Sequence, residues 1–369
     1  MKIVFIIVKG LPYGGGIEKY TEEVGSRLVR SGHKIIVYSM ARQSRKPVSY
    51  RGMLIKPIPT PGLKTLDKMV ASLLASICLY FEDGVDMVHY HAFGPAMFVF
   101  IPRMLGIKTV VQGHSLEWKR ARWNSFVKFF LKITEVLSVK YANSLTVVST
   151  IMQRYLKDKY GKDSIFIPTG VNPTTNQKPD LIKQFGLHGN DYIFFAGRLV
   201  REKGAHYLIE AYKKLRTDFK LVIAGDEQYE KEYKGWLHKL AQGDKRIIFT
   251  GFVNGKILEE LFSNCYIFVL PSEVEGLPTV LLEAMCYGNC CLVSDIPENR
   301  DPLNSLGYTF KNGDINDLAK KMQYLIENNE AVIKIKQSTK SYVLQNYSWD
   351  KIAQQLESLY YKLVSTKGG

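Results

Sequence analysis

The sequence has no apolar run long enough to cross a membrane, no D-x-D pair, few cysteines, and few acids in its first half. A spanning helix needs about 18 consecutive apolar residues. The nearest approach, Met69 to Phe81, is shorter and broken by serines. The first apolar run, Ile3 to Val8, passes straight into a glycine-rich turn, so it reads as a strand and not as the core of a secretory signal. The five cysteines, Cys78, Cys265, Cys286, Cys290 and Cys291, are odd in number and lie in apolar runs, which suits reduced thiols in the cytoplasm. Cys286, Cys290 and Cys291 have neither a second C-x-x-C pair nor histidines nearby, so no metal site is expected. Without D-x-D, no carboxylate pair offers to hold a divalent cation on a diphosphate. That charge must be neutralised another way.

Acids are scarce in one half only. Residues 1–172 hold 25 Lys+Arg against 11 Asp+Glu, a net of +14, whereas residues 173–369 hold 25 against 24, a net of +1. Such a half faces something anionic: a membrane surface, a diphosphate-bearing acceptor or nucleic acid. Apolar residues are plentiful at 46% against 23% charged, the balance of a folded globular chain. A length of 369 residues is too great for one ordinary core and fits two domains.

Short β-rich runs alternate with helical patterns, twice over. In the first half, strands are expected at Ile3 to Val8, Lys34 to Ser39, Met87 to His89, Thr109 to Gln112 and Ser144 to Val148, with helices at Ile17 to Ser31, Leu63 to Phe81 and Leu116 to Tyr141. In the second, strands are expected at Tyr192 to Ala196, Lys220 to Ala224, Ile247 to Thr250, Ile267 to Leu270 and Cys291 to Ser294, separated by helices Gly204 to Leu215, Lys256 to Asn264 and Thr279 to Tyr287. Buried apolar strands alternating with amphipathic helices mean α/β architecture: two Rossmann-like, doubly wound domains facing across a cleft. The prolines and glycine of residues 167–179 mark the hinge. The predicted domains are 1–172, 173–348 and a last helix, 349–369, capped by Ser348.

Parallel sheets bind ligands beyond the carboxyl ends of their strands. After the first strand, V-K-G-L-P-Y-G-G-G-I-E-K-Y either lets the backbone approach an anion at a helix N-terminus or forms a tight β–α turn, with Gly16 near the helix start. A dinucleotide oxidoreductase wants an acid after the second strand. V-Y-S-M-A-R-Q-S-R-K has none, which demotes that class. In F-F-A-G-R-L-V-R-E-K-G, Arg198 and Lys203 can point cations at a diphosphate, or the turn is simply a solvated basic loop. The second feature, P-S-E-V-E-G-L-P-T-V-L-L-E-A-M, sets Glu275 and Glu283 around an apolar stretch. A buried, unpaired carboxylate costs several kcal/mol, so both acids need partners. The N–H groups of Thr279 and Val280 open the following helix and suit phosphate, whereas Pro278 has none to give.

The glycines after the first strand, G-R-L followed by E-K-G, and the paired glutamates of E-G-L-P-x-x-x-x-E-A-M resemble family 4 of the retaining glycosyltransferases, with the two-domain glycosyltransferase B fold. The likeness covers nearly the whole chain, including a C-terminal helix that returns to the first domain. It implies an N-terminal acceptor domain and a C-terminal domain that binds a nucleoside-diphosphate sugar. It places Arg198 and Lys203 on the donor diphosphate, Glu275 on sugar hydroxyls beside the reacting carbon and Glu283 on the ribose. It also puts Gly15 and Gly16 near the diphosphate, Val253 by the base, Leu277, Thr279 and Val280 along the donor, and His114 near the sugar; His89 and His91 compete for that last role. The string H-x-x-E-W-K-R-x-x-W from His114 is similar to bacterial rhamnosyltransferases of capsule synthesis, which implies dTDP-rhamnose or a UDP-hexose as donor. The resemblance further implies retention of configuration, with the leaving phosphate taking the acceptor proton and neither metal nor cofactor required. A sugar-nucleotide epimerase of the same fold, or a non-catalytic binder of membrane or nucleic acid, is the competing expectation; the epimerase does not need a basic, aromatic half, and the binder does not need Glu275 and Glu283.

Residues 116–142 bear on the acceptor. At helical spacing Trp123, Phe126, Phe130, Ile133 and Leu137 form one apolar face, with Lys119, Arg120, Arg122, Lys128 and Lys132 around it. Such a helix is either buried core or an interfacial helix on anionic lipid. With the first half so basic, the expectation is attachment to the inner face of the plasma membrane, with a polyprenyl-diphosphate-linked saccharide as acceptor and no nucleic acid as partner.

Overall fold

The structure is a computed structural model that describes residues 1–6, 10–11, 15–40, 46–60, 66–116, 118, 124–226 and 231–365. It forms two compact units, Met1–Gly170 with Trp349–Gly369, and Val171–Ser348. The chain leaves the first unit within the predicted hinge, two residues earlier than expected, and re-enters it at Trp349.

In the first unit β1 (Lys2–Ile6), α1 (Gly16–Arg30), β2 (Lys34–Met40), β3 (Val48–Tyr50), β4 (Met53–Ile58), α2 (Leu66–Cys78), β5 (Met87–His91), α3 (Phe100–Met104), β6 (Lys108–Gly113), α4 (Ser125–Tyr141), β7 (Ser144–Val147), α5 (Thr150–Tyr160) and β8 (Ile165–Phe166) follow in order. The sheet runs β3-β4-β2-β1-β5-β6-β7-β8. All neighbours are parallel except β3 and β4. That short hairpin was not expected from the sequence; its two-residue turn, Arg51 and Gly52, has positive φ at both positions (49° and 78°), as a mirror-type hairpin turn requires. Because β1 lies between β2 and β5, the winding reverses there, and the turn into α1 opens at the switch point where ligands bind.

Alternate strand residues feed two cores. One joins Val4, Ile6, Val88, Tyr90, Val111 and Val147 to Ala71 and Ala75 of α2. The other joins Ile3, Phe5, Met87 and Val110 to Tyr20, Val24 and Leu28 of α1 and to the last helix, α13 (Trp349–Ser365). Trp349, Ile352, Leu356 and Tyr360 are almost wholly buried, and each aliphatic side chain so placed stabilises by about 1.5–3 kcal/mol. The terminal helix is therefore part of the first unit's core.

The second unit contains β9 (Tyr192–Ala196), α6 (Ala205–Tyr212), β10 (Lys220–Ala224), α7 (Lys231–Ala241), β11 (Ile247–Gly251), α8 (Gly255–Asn264), β12 (Ile267–Leu270), α9 (Thr279–Cys286), β13 (Cys291–Ser294), α10 (Pro297–Leu303), β14 (Tyr308–Phe310), α11 (Ile315–Glu327) and α12 (Asn329–Tyr347). Its parallel sheet runs β11-β10-β9-β12-β13-β14 and reverses at β9. The five strands expected here agree to within one residue. Two helices of the first unit are shorter than expected: α2 ends at Cys78 and not Phe81, with a 3-10 turn over Leu79–Phe81, and α4 starts at Ser125 and not Leu116, because Asn124 caps it, its Oδ1 accepting the Val127 N–H at 2.9 Å. Residues 63–65 of the expected helix 63–81, 117 and 119–123 of the expected helix 116–141, and 7–8 of the first strand, lie outside the described residues.

Candidate functional site

In the second unit the site begins at two glycines that no other residue can replace. A Cβ on Gly204 (φ +70°) would sit 2.0 Å from the Pro271 carbonyl oxygen, and one on Gly225 (φ +146°) would sit 1.8 Å from that of Gly197. The second approach locks the end of β10 to the end of β9. The first presses the turn Arg201–Lys203 against residues 271–275, where the Glu273 N–H donates to the Glu202 carbonyl at 2.9 Å. Lys203 Nζ thereby donates to Glu275 Oε1 at 2.5 Å, with the two side chains only 17% and 7% exposed. Arg198, more open, lies 3.3 Å from Glu202 Oε1. Tyr207 OH donates to Glu273 at 2.7 Å and braces the same segment.

The next piece is the start of α9. Pro278 is extended there, no side chain caps the helix, and the Leu281 and Leu282 N–H groups turn back to the Pro278 carbonyl. Thr279 and Val280 therefore stand at an uncapped N-terminus, the positive end of the helix dipole. While α9 buries Leu281, Leu282, Ala284, Met285 and Cys286, the residues Thr279, Val280 and Glu283 keep partial exposure along one edge, as does Leu277 before them. Val253 is half-buried in the turn from β11 to α8. The structure thus joins Lys203 directly to Glu275, which stands four residues before that bare helix N-terminus. Cations and N–H groups can hold an anion, and carboxylates can accept hydrogen bonds from hydroxyls.

In the first unit Gly15 and Gly16 follow β1 at the start of α1, His89 and His91 lie within β5, and His114 follows β6. Gly15 caps α1 with extended backbone, and a Cβ there would meet Glu18 Oε2 at 2.1 Å, so the buried Glu18 carboxylate lies across the start of α1; around Gly16 the space is open. Parallel register aligns Phe5 with His89 and His91 with Gln112, so these side chains share the face packed by α1 and α13. Here the three candidate histidines form one array: His89 and His91 stack at 4.4 Å between centroids, and His91 and His114 lie 5.9 Å apart. Tyr20 of α1 packs edgewise on His91 and His114, at 5.5 and 5.3 Å. His89 Nδ1 bonds the Tyr360 hydroxyl at 2.5 Å. Both nitrogens of His91, and Nε2 of His114, have no hydrogen-bond partner among the described residues.

Burial lowers the pKa of all three. His114 falls to about 4. His89, through burial and then the nearby His114, falls to about 3, and His91 falls well below its ordinary value through burial and both neighbours. All are neutral at neutral pH. His89 and His91 are fully buried, whereas His114 keeps partial exposure.

α4 is inside out. Its buried stripe is Thr134, Glu135, Ser138 and Val139, mostly polar, while Phe126 (78%), Phe129 (63%), Val136 (44%) and Ile133 (38%) stand exposed. Of the expected apolar face, Phe126 and Ile133 are exposed and Phe130 and Leu137 half-buried; Trp123, Lys119, Arg120 and Arg122 lie outside the described residues. Of the two placements left open for this helix, core or interfacial, burial of its aromatic side in the first unit is not what is found.

Sequence reasoning missed Glu202 and Glu273, Tyr20, and Glu135. The clearest available signal was Glu135, one of two acids among residues 101–150, set at the centre of an otherwise cationic helix. Among the described residues no group of three or more His, Cys, Asp or Glu is placed to hold a metal ion, and no helix is long and apolar enough to cross a membrane.

Two family models match in succession. Residues 14–175 match Glycosyltransferase Family 4, and residues 177–342 match Glycosyl transferases group 1. An uncharacterized glycosyltransferase of Methanocaldococcus jannaschii is 26% identical over 94% of this chain and 94% of its own length. An Escherichia coli enzyme named UDP-Gal:alpha-D-GlcNAc-diphosphoundecaprenol alpha-1,3-galactosyltransferase is 29% identical over 64% of each chain. Among solved structures, sucrose-phosphate synthase of Thermosynechococcus elongatus superposes with a TM-score of 0.85 at 19% identity, covering 99% of this chain and 100% of that one. HepE of Anabaena, in complex with UDP-glucose, superposes at 0.82 with 18% identity, covering 98% and 100%. The chain is a glycosyltransferase of the B fold, built from a family 4 first half and a group 1 second half.

Proposed function

We propose that this glycosyltransferase moves a sugar, with retention of configuration, from a nucleoside-diphosphate sugar, dTDP-rhamnose or a UDP-hexose, to a polyprenyl-diphosphate-linked saccharide in bacterial surface polysaccharide synthesis. The observation that carries this reading is the Lys203–Glu275 pair, formed on the short segment that runs from Glu275 into the uncapped start of α9. When the donor binds, Lys203 and Arg198 stabilise the leaving diphosphate together with the N–H groups of Thr279 and Val280, without a metal. Glu275 accepts hydroxyls of the transferring sugar, Glu283 those of the ribose, and Val253 and Leu277 flank the donor. In the first unit Gly15 and Gly16 lie near the diphosphate, with open space at Gly16, and the neutral His114 meets a sugar hydroxyl. The acceptor hydroxyl attacks the face from which the diphosphate leaves, and the departing phosphate takes its proton. No separate base is needed.

The acceptor side of the reading rests on charge and on α4. Aromatic residues exposed on a helix of a basic half suit the headgroup zone of an anionic bilayer, with the enzyme held peripherally on its cytoplasmic face. The similar E. coli enzyme is named for a diphosphoundecaprenol-linked acceptor, which supports the same class here. The test is release of nucleoside diphosphate from UDP- and dTDP-sugars with and without a polyprenyl-diphosphate saccharide. Release that needs the acceptor is expected. Release or interconversion of the sugar without any acceptor would favour an epimerase-like enzyme.

A further inference from the structure

Glu135 is a carboxylate 1% exposed at the centre of α4. Its Oε2 accepts the Trp118 indole N–H at 3.0 Å. Its Oε1 is reached by the Tyr155 hydroxyl at 2.6 Å, the Tyr160 hydroxyl at 2.6 Å and Lys159 Nζ at 3.0 Å. Lys159 lies 5.8 Å from the Trp118 ring, 5.0 Å from Tyr155 and 4.7 Å from Tyr160, and Lys132 covers Trp118 at 4.9 Å. Burial alone would raise the Glu135 pKa; the four donors outweigh it and hold the group below the ordinary carboxylate range, so it is ionised at neutral pH.

Tyr155, Lys159 and Tyr160 belong to α5, which already packs on the sheet through Met152 and Leu156. The remaining donor, Trp118, belongs to the segment that leads from β6 into α4, four residues beyond His114. An indole has a single N–H, and here the carboxylate takes it. A buried ion pair adds little net stability over a packed apolar residue, because desolvating two charges costs several kcal/mol. A fully satisfied polar network does fix one geometry. The same polar stripe reaches the turn after His91, where Ser138 Oγ lies 3.0 Å from the Phe93 carbonyl oxygen. The inverted face of α4 thus ties down the chain beyond two of the three histidines.

We propose that Glu135 is a positioning residue for sugar transfer: by holding the Trp118 indole it fixes the segment that begins at His114, and with it the imidazole presented to the sugar. This rests on the transfer reading above. The test compares Trp118→Phe, which removes the indole donor while keeping an aromatic ring in the segment, with Tyr160→Phe, which removes a donor to the same carboxylate from α5. Turnover, donor KM and thermal midpoint are measured for each, with Glu135→Ala and Glu135→Gln alongside. Trp118→Phe should lower kcat about tenfold or more at unchanged donor KM, whereas Tyr160→Phe should lower the midpoint with kcat intact. Glu135→Gln, whose amide oxygen can still accept the indole, should recover kcat relative to Glu135→Ala while leaving Lys159 without its countercharge and the midpoint low. If Glu135→Ala does not fold, the two aromatic variants still decide. Wild-type kcat in Trp118→Phe, or kcat falling in step with the midpoint in every variant, overturns the proposal. A wild-type chain that transfers no sugar overturns the transfer reading, and this role with it. Isotope-edited NMR of the Trp118 indole N–H separates the cases: slow solvent exchange in wild type that quickens in Glu135→Ala shows that the clasp exists whatever the reaction.

Discussion

Lys203 and Glu275 of the second unit meet at 2.5 Å, ion to ion, whereas His91 of the first unit is fully buried with neither ring nitrogen hydrogen-bonded among the described residues. The second unit keeps its charges on short turns and pairs them nearby. In the first, the clustered rings carry no charge: burial lowers the pKa of His89, His91 and His114, so that array is neutral. The difference suits two tasks. A leaving diphosphate needs standing positive charge, and a sugar needs hydrogen-bonding groups that do not attract anions.

The largest effect expected from breaking this contrast lies in the second unit. Arg198→Ala and Lys203→Ala should each reduce turnover by about 100-fold or more, the usual loss when one preorganised charge or donor leaves a transition state. EDTA should leave the wild-type rate unchanged. Loss of activity on chelation would show that a metal carries the diphosphate and that the cations are secondary.

The first unit should respond to acid instead. In an unfolded chain these histidines take up protons near pH 6.5, but in the folded chain His114 does so only near 4 and His89 near 3. Between those limits the unfolded state binds more protons, so stability falls as pH falls, by up to about 1.4 kcal/mol per pH unit for each histidine. Carboxylates held below their ordinary 4.5, such as Glu135, add to the loss only at lower pH. Thermal midpoints from pH 7 to 4.5 should decline, and less steeply in His89→Gln. A flat profile would mean that the rings are solvated.

The smallest effect concerns the exposed aromatic side of α4. Co-sedimentation with anionic vesicles should be strong at low salt and weaken with salt, each basic residue near the surface contributing about 1 kcal/mol. Phe126→Ser and Phe129→Ser should weaken it further. No binding at low salt, or equal binding to neutral vesicles, would leave a soluble acceptor as the better reading.

The second unit was the more legible in sequence. Its strands β9, β12 and β13 are buried throughout, and its site is carried by contiguous strings: the glycine after Lys203 announces the close approach to Pro271 that brings Lys203 to Glu275. The first unit's site is assembled from afar. Tyr360 reaches His89 across 271 positions, and Glu135 reaches Trp118, Tyr155 and Tyr160 from the middle of a helix whose apolar pattern pointed the other way. Periodicity told which α4 residues share a face but not which face meets the sheet, because polar side chains that satisfy one another can be buried as readily as apolar ones. The β3–β4 hairpin was missed for a simpler reason: β3 is short, Pro57 interrupts the apolar pattern of β4, and Arg-Gly is a weak turn signal beside Asn-Gly.

Calorimetric titration of the nucleoside diphosphate into Glu275→Ala and Glu283→Ala tests the donor site most directly, since the two glutamates are assigned to different parts of one ligand. Loss of a charged hydrogen bond to the ribose costs about 1.5–3 kcal/mol, so Glu283→Ala should weaken binding by about tenfold or more. Glu275→Ala should bind the diphosphate at least as well as wild type, because it frees Lys203 while removing only the contact to a sugar that this ligand lacks. Equal, small shifts in both variants, or weaker binding in Glu275→Ala alone, would contradict the assignment.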